Sequence, residues 1–352
     1  MILLIAIPLL LRAVGSFCER RDSRLLCCAA AASAVFMICG LPGLAGLWDS
    51  AYDTFGADIR NVPFGELGSL GIPPANALLM KLCAFFGDDP AVYPLVTAGL
   101  NAVLAGYAVR NAPYHGSSVL CFMFIPAFFC RSGALTAALI CTIAAVYIQE
   151  RRFFRYAALV LLAACFDMSA LLTLPLYFVT LIPGAFVPAV LAVIIAALVM
   201  LFPGALDGVY GIFGGMCEIF TAPVFWAVIS CIAAAVLMLM YAMFRNREGK
   251  YERLVSVMLC GAALTAAAAG DGRLCVPAML LLMQSAVPLA DEAFAIGSKF
   301  VGIMFKENQK TAQTVFLAVC VTAEAVLCAC LIYSDAFGAS VYGAAVETVF
   351  GL

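Results

Sequence analysis

Charge is scarce in this sequence. Only 11% of the residues are Asp, Glu, Lys or Arg, whereas 65% are hydrophobic and the mean hydropathy is +1.08. A soluble globular domain carries about 25% charged residues, so this composition excludes one. Because a bilayer core about 30 Å thick needs about 20 apolar residues per helix, the sequence predicts an all-α, polytopic transmembrane bundle of about twelve spans.

Metal-binding and cofactor-binding patterns are also missing. The sequence has neither an HExxH nor a CxxC motif, and its single histidine, His115, lies in a loop predicted to be cytoplasmic. The 16 cysteines lie mostly inside apolar segments and are interpreted as small buried hydrophobic residues. No glycine-rich phosphate loop is present, so we predict no metal, no cofactor and no nucleic-acid partner.

The apolar segments predict one integral membrane domain over residues 1–352, without an internal repeat. The N-terminal segment lacks a basic start and a cleavage site, and it is interpreted as a retained first span. The segment 72–87 is short and polar in places, and it is predicted to re-enter the membrane surface without crossing. The predicted spans are 1–17, 25–47, 90–109, 117–130, 132–148, 156–166, 168–182, 187–202, 224–244, 254–269, 274–289 and 311–333.

The orientation follows from the basic residues, which concentrate on the cytoplasmic side of bacterial membrane proteins. If the loop 18–24 is cytoplasmic and the segment 72–87 does not cross, 14 of the 19 Lys and Arg residues lie inside and both termini lie outside. If 72–87 did cross, the basic clusters at 149–155 and 245–253 would face outward. The inside residues are Arg20, Arg21, Arg24, Arg110, Arg151, Arg152, Arg155, Arg245, Arg247, Lys250, Arg253, Lys299, Lys306 and Lys310.

The charges that this rule leaves unexplained share the predicted outer side. They are Arg60, Arg131, Arg273, Asp49, Asp53, Glu66, Asp167 and Asp271. Two arginines from separate helices would clamp a diphosphate, because a guanidinium binds phosphate bidentately and stays charged. The acidic and aromatic loop 48–68 suits sugars, which stack on rings and donate hydrogen bonds to carboxylates. Together these features predict a lipid diphosphate that carries a glycan.

Four short motifs resemble those of one family. They are DSAYDTF at 49–55, RSGAL at 131–135, FDMSAL at 166–171 and RLCVP at 273–277. They are similar to the acidic-aromatic first outer loop, the RQGLA-like helix start, the FHxSAL motif and the late arginine-led helix start of the EpsG family, relatives of Wzy-like exopolysaccharide polymerases. The resemblance covers roughly residues 45–290. Asp167 stands where the family usually has histidine, and Ser132 where it usually has glutamine.

The resemblance implies a metal-independent glycosyltransferase in the bacterial cytoplasmic membrane. Such an enzyme joins polyprenyl-diphosphate-linked repeat units on the outer face, for exopolysaccharide, capsule or O-antigen, alongside a flippase and a chain-length regulator. We expect Arg131 and Arg273 to contact the diphosphate and Asp167 to act as base or orienter. The expected sugar-binding residues are Asp49, Tyr52, Asp53, Arg60 and Glu66.

Other interpretations remain open for the site and for the whole protein. Asp167 alternatively caps the helix that begins at Met168, a common role for aspartate. The protein is alternatively a transporter or flippase of lipid-linked glycans, although only Glu324 and Arg12 lie deep in predicted spans and transporters usually carry repeats. Because Asp167 replaces histidine, a non-catalytic partner in an assembly complex is a third possibility, and a ligase is a fourth.

Overall fold

The computed structural model describes residues 24–44, 59, 61–86, 92–111 and 132–182, the segments 219–221 and 273–275, and single helical positions between 190 and 322. Helices account for most of this part of the chain. The α-helices are α1 (Arg24–Leu44), α2 (Pro74–Phe86), α3 (Val92–Asn111), α4 (Ser132–Gln149), α5 (Phe153–Ala164) and α6 (Leu176–Val179). The 3-10 helices are η1 (Phe64–Leu70) and η2 (Met168–Thr173), and the strands are β1 (Ile219–Thr221) and β2 (Arg273–Cys275).

Helices α1 and α3 pack against each other in opposite directions along a seam of small residues. A Cβ added at Gly106 would lie 3.5 Å from the carbonyl oxygen of Cys28, and one added at Gly40 would lie 3.8 Å from the Cβ of Ala98. Small residues allow two membrane helices to approach closely. The antiparallel direction is the one expected when the intervening segment 72–87 returns to the side from which it starts.

Helix α4 lies at the centre of the described helices. Its residues from Gly133 to Thr142 are all buried, and α3, α5 and η2 contact it. Thr136 donates a hydrogen bond of 2.6 Å to Asn101 Oδ1, which joins α4 to α3 inside the bundle. A helix that is apolar all round and buried on all sides is typical of the core of a membrane bundle.

Large apolar side chains cover the outside of the described helices. Phe86 and Phe154 are each 86% exposed, and Val103 is 69% exposed. Among the residues whose side chains are described, one helical stretch, Val92–Arg110, is long and apolar enough to cross a membrane, and the other apolar stretches, such as Cys28–Met37 and Gly133–Gln149, are shorter. The termini and the predicted spans 1–17, 117–130, 187–202, 224–244, 254–269, 274–289 and 311–333 lie outside the residues described continuously.

Helix α2 occupies the segment predicted to re-enter without crossing. Its 13 residues extend about 20 Å at 1.5 Å per residue, which is less than the hydrocarbon thickness of about 30 Å. Pro74 is its first residue, a position that tolerates proline because first-turn N–H groups have no acceptor within the helix. The inner face packs in a cluster with Ile59, Leu67 and Tyr93.

Helix α5, η2 and α6 form a hairpin where the sequence predicts two separate spans, 156–166 and 168–182. The second limb returns beside the first, because Tyr156 Oη donates a 2.6 Å hydrogen bond to the carbonyl oxygen of Thr173 and the ring of Phe153 lies 5.1 Å from that of Tyr177. Helix α5 has 12 residues and spans about 18 Å. Each limb alone is shorter than a typical bilayer-crossing helix, and the two spans that meet at Asp167 stay a prediction.

Strands β1 and β2 form an antiparallel pair that the all-α prediction did not include. Thr221 pairs with Arg273 and Ile219 pairs with Cys275. The pair joins the end of the predicted outer loop 203–223 to the end of the predicted outer loop 270–273 and to the first two residues of the predicted span 274–289. Since paired strands lie about 4.8 Å apart, the two loops end on the same side of the protein, as the predicted orientation requires.

Candidate functional site

The turn between α5 and η2 holds a buried carboxylate. Asp167 is 1% exposed, and its Oδ1 accepts a 2.8 Å hydrogen bond from the backbone N–H of Ser169. Its extended backbone, with φ −151° and ψ 117°, is the conformation of an N-cap residue. The capping role considered from the sequence is therefore confirmed, and it fixes the direction of the carboxylate at the tip of the hairpin.

The start of α2 binds the same turn from another part of the chain. The backbone N–H of Ala75 donates to the carbonyl oxygen of Cys165 at 2.8 Å, and Asn76 Nδ2 donates to that of Phe166 at 2.9 Å. These two carbonyl oxygens, directly after the end of α5, have no N–H donor within that helix, so the N-terminus of α2 supplies the donors. This junction holds the peptide directly before Asp167.

The start of α4 completes the junction. A Cβ added at Gly133 would overlap Asn76 Nδ2 and lie 3.0 Å from Asn76 Cγ, so only glycine allows this approach. Gly133 belongs to the RSGAL motif, and Phe166, whose carbonyl oxygen accepts the hydrogen bond from Asn76, belongs to the FDMSAL motif. Two of the four motifs therefore meet at one end of the bundle, with the side chain of Asn76 between them.

Two buried polar atoms at this junction have no hydrogen-bond partner. Within the described part of the chain, these are Asn76 Oδ1 and Ser169 Oγ. Asn76 is 9% exposed and Ser169 is fully buried. A buried polar atom without a partner costs about 1–3 kcal/mol, so packing stability alone does not account for both side chains.

The predicted site residues are distributed unevenly over the described structure. Asp167 lies in the junction, and Arg273 is the first residue of β2. Glu66 lies on η1 and is exposed. Arg131, which directly precedes α4, and Asp49, Tyr52, Asp53 and Arg60 all lie outside the described residues.

Lys81 of α2 contacts the start of η1, the 3-10 helix that contains Glu66. It is 3% exposed in α2, its ammonium donates to the carbonyl oxygen of Val62, and it lies 4.6 Å from the ring centre of Phe64. A desolvated ammonium is stabilised by such carbonyl and aromatic partners. Lys81 therefore ties η1 to α2.

Sequence reasoning missed Asn76, Gly133 and Ser169. Asn76 was recognisable in the sequence as unusual, because its polar amide directly follows Pro74 and Ala75 in a short apolar segment. Gly133 and Ser169 were visible only as members of the RSGAL and FDMSAL motifs. Neither residue type indicates by itself that it contacts another segment or lacks a partner.

Among the described residues, no group of three or more His, Cys, Asp or Glu side chains lies close enough together to hold a metal ion. The described cysteines that are free thiols include Cys39, Cys83 and Cys141, which are buried. The junction at Asp167 therefore offers carboxylate, amide and hydroxyl groups as its polar chemistry.

The fold and this junction define a helical membrane protein with a buried polar site at one end of its bundle. A family model described as the EpsG family matches residues 70–260, which is more than half of the 352-residue chain. The chain belongs to the EpsG family. That family consists of membrane proteins associated with polysaccharide polymerases, which gives this chain an exopolysaccharide-related function and a lipid-linked glycan as substrate class. None of the curated proteins and none of the solved structures matches it significantly.

Proposed function

We propose that this protein polymerises oligosaccharide repeat units carried on polyprenyl diphosphate at the outer face of the bacterial cytoplasmic membrane. Membership of the EpsG family supports the substrate class. The observation that carries the proposal is the junction in which Asn76 lies between Gly133, two residues after Arg131, and the turn that holds Asp167. It brings the two motifs proposed to perform the chemistry to the same end of the bundle.

The proposed reaction is a glycosyl transfer. The oxygen of an acceptor hydroxyl attacks the anomeric carbon of the donor chain, the bond from that carbon to the diphosphate oxygen breaks, and the electron pair leaves with the diphosphate. The carboxylate of Asp167 takes the hydroxyl proton or orients the hydroxyl. A carboxylate has about four lone-pair positions, so the cap hydrogen bond from Ser169 is compatible with this role.

Arg131 and Arg273 are proposed to bind the diphosphate. Guanidinium groups stabilise the negative charge that develops on the leaving oxygens, and they remain charged at any working pH. Arg131 directly precedes α4, and Arg273 begins β2, which pairs with β1. Glu66 on η1, together with Asp49, Tyr52, Asp53 and Arg60, is proposed to bind sugar hydroxyls.

The outer location of this site is supported by two contacts. The antiparallel packing of α1 and α3 agrees with a segment 72–87 that does not cross. The pairing of β1 with β2 agrees with outer positions for both neighbouring loops. With the cytoplasmic loops assigned by their basic residues, Asp167 lies on the outer side of the arginine turn between α4 and α5.

The test uses the purified full-length protein in detergent with polyprenyl-diphosphate-linked repeat units, and it measures glycan length by gel and mass spectrometry. We expect the wild type to lengthen the glycans. We expect Arg131→Ala and Arg273→Ala each to lower the rate about 100-fold or more, because each removes charge stabilisation from the leaving group. Arg110→Ala, an exposed arginine in the last turn of α3, is the matched control and should keep the wild-type rate.

Transport is impossible in detergent, which separates the polymerase from a flippase. Translocation of lipid-linked glycans in vesicles, without lengthening in detergent, would replace this proposal with the transporter. Unchanged polymer length and yield in both arginine variants would remove the diphosphate clamp. A gain of activity in Asp167→His would mark the natural chain as an impaired member of an assembly complex.

A further inference from the structure

Asn76 is a polar side chain of the junction to which the proposed chemistry gives no role. It lies in a short helix separate from the other two partners, and 90 residues separate it from Phe166, whose carbonyl oxygen accepts its hydrogen bond at 2.9 Å. The amide is 9% exposed, and its Oδ1 is buried without a partner. An apolar side chain of similar size would avoid the cost of that unpaired oxygen.

Asn76 contacts both of the segments to which the proposed chemistry is assigned, the Asp167 turn and the start of α4. On one side, its amide donates to the peptide that joins Phe166 to Asp167. On the other side, it packs on Gly133 at the start of α4, where no Cβ fits. A change in the length or direction of this side chain must therefore move the Asp167 turn relative to the first turn of α4, which follows Arg131.

We infer that Asn76 is a positioning residue that sets the distance between the Asp167 carboxylate and the arginine-led start of α4. The inference rests on the proposed function of this site. A base and a diphosphate-binding group must act on the same donor sugar, and a displacement of about 1 Å in such a pair lowers a rate by about 100-fold. Asn76 touches neither substrate nor the reacting atoms in this role.

Asn76→Ala removes the link while leaving Asp167 and both arginines in the chain. We expect kcat to fall about 10-fold to 100-fold with KM within about 2-fold of wild type, because binding groups remain but their alignment with the base is lost. Asn101→Ala is the matched control. It removes a buried asparagine of α3 that accepts a 2.6 Å hydrogen bond from Thr136 of α4, and it should lower thermal stability but keep kcat.

A double substitution separates positioning from folding. Gly133→Ala alone places a Cβ in the space of the Asn76 amide, and we expect a lower midpoint of thermal unfolding together with a loss of kcat. Gly133→Ala combined with Asn76→Ala removes that overlap, so the midpoint should recover while kcat stays at the Asn76→Ala level. Gly99→Ala, where an added Cβ meets nothing within 4 Å, controls for the glycine replacement itself.

Hydrogen exchange provides a measurement that does not depend on polymerase activity. The amides of Ser169 and Ala170 donate to Asp167 Oδ1 and to its carbonyl oxygen, at 2.8 and 3.0 Å. In Asn76→Ala their exchange should accelerate at least several-fold, whereas in Asn101→Ala it should stay at the wild-type rate.

Four outcomes are decisive for the inference. Wild-type kcat in the double variant, or equal loss of kcat in Asn76→Ala and Asn101→Ala, would overturn it and leave the proposed function standing. Unchanged exchange at Ser169 and Ala170 in Asn76→Ala would overturn it as well. If the wild type does not polymerise but exchange accelerates only in Asn76→Ala, the proposed function fails and the positioning of the turn is supported.

Discussion

The two turns at the ends of α5 differ in almost every physical respect. The turn before α5 contains Arg151 and Arg152, both exposed, and Arg152 forms a 3.2 Å ion pair with Glu150 whose side chains are 52% and 42% exposed. The turn after α5 contains Asp167, which is 1% exposed and accepts a hydrogen bond from the backbone N–H of Ser169, and the start of α2 donates to the two carbonyl oxygens before it. The first turn exposes several charged side chains, and the second buries a single carboxyl group.

This difference shows which charged groups need a functional explanation, namely those whose burial is energetically costly. An exposed ion pair contributes less than about 1 kcal/mol, and basic residues at a membrane surface serve as anchors. A carboxylate buried in a membrane bundle needs specific partners to remain there. Changes at the Asp167 turn should therefore alter activity, and changes at the Arg151 turn should alter only stability.

The largest effect should come from Asp167→Asn. Asparagine caps a helix about as well as aspartate, so the free energy of unfolding should change by less than about 0.5 kcal/mol. The side chain no longer accepts a proton, and the polymerisation rate should fall about 100-fold to 10,000-fold. Detergent assays of glycan length and thermal unfolding measure the two quantities on the same preparation.

Asp167→Ala is the companion variant. It removes both the carboxylate and the cap, so it should lose about 1 kcal/mol of stability in addition to the rate. If Asp167→Asn polymerises at the wild-type rate, the carboxylate serves only as a cap, and the two turns differ in burial alone.

An intermediate effect is expected from Tyr156→Phe, which tests the contact between the two limbs of the hairpin. The lost hydroxyl leaves the buried carbonyl oxygen of Thr173 without this donor, and the free energy of unfolding should fall by about 1–3 kcal/mol. Tyr177→Phe keeps its ring in the same aromatic cluster and is the control. A loss of activity larger than the loss of folded protein would extend the functional region along the hairpin from Asp167 to Tyr156.

The smallest effect should come from Arg151→Gly. Arg151 has φ +57°, a left-handed conformation, and the N–H groups of Arg151 and Arg152 donate to the carbonyl oxygens of Ile148 and Tyr147. This is the hydrogen-bond pattern of a Schellman C-terminus, where glycine avoids a cost of about 1 kcal/mol. The midpoint of thermal unfolding should therefore rise slightly, with unchanged polymerisation.

Arg152→Gly provides the opposite control. Its φ of −101° suits any residue, so glycine there adds conformational freedom to the unfolded chain, removes the ion pair with Glu150 and should lower the midpoint. If Arg151→Gly lowers polymerisation, the arginine turn has a role beyond anchoring and the contrast between the two turns no longer holds.

Several features were predictable because they depend on single residues or short segments. The helical class followed from hydropathy, and the shortness of the helix in the segment 72–87 followed from the short apolar run in that segment. Asp167 was recognisable as a cap because that role needs only its own position before Met168. The turn at Asp167 between two apolar segments was predictable, but the contacts between them, from Tyr156 to Thr173 and from Phe153 to Tyr177, were not, because they depend on how the two limbs pack.

The sequence by itself determined that this is a helical membrane protein, because transfer of each side chain into the bilayer depends on that side chain and its immediate neighbours. It also determined membership of the EpsG family, which is read from the sequence alone. Only the tertiary structure decided that Asn76, Gly133 and the Asp167 turn meet. Their meeting depends on a hydrogen bond between residues 90 positions apart and on the space left by a missing Cβ. Such contacts arise from the packing of three segments together, and no one segment contains the information.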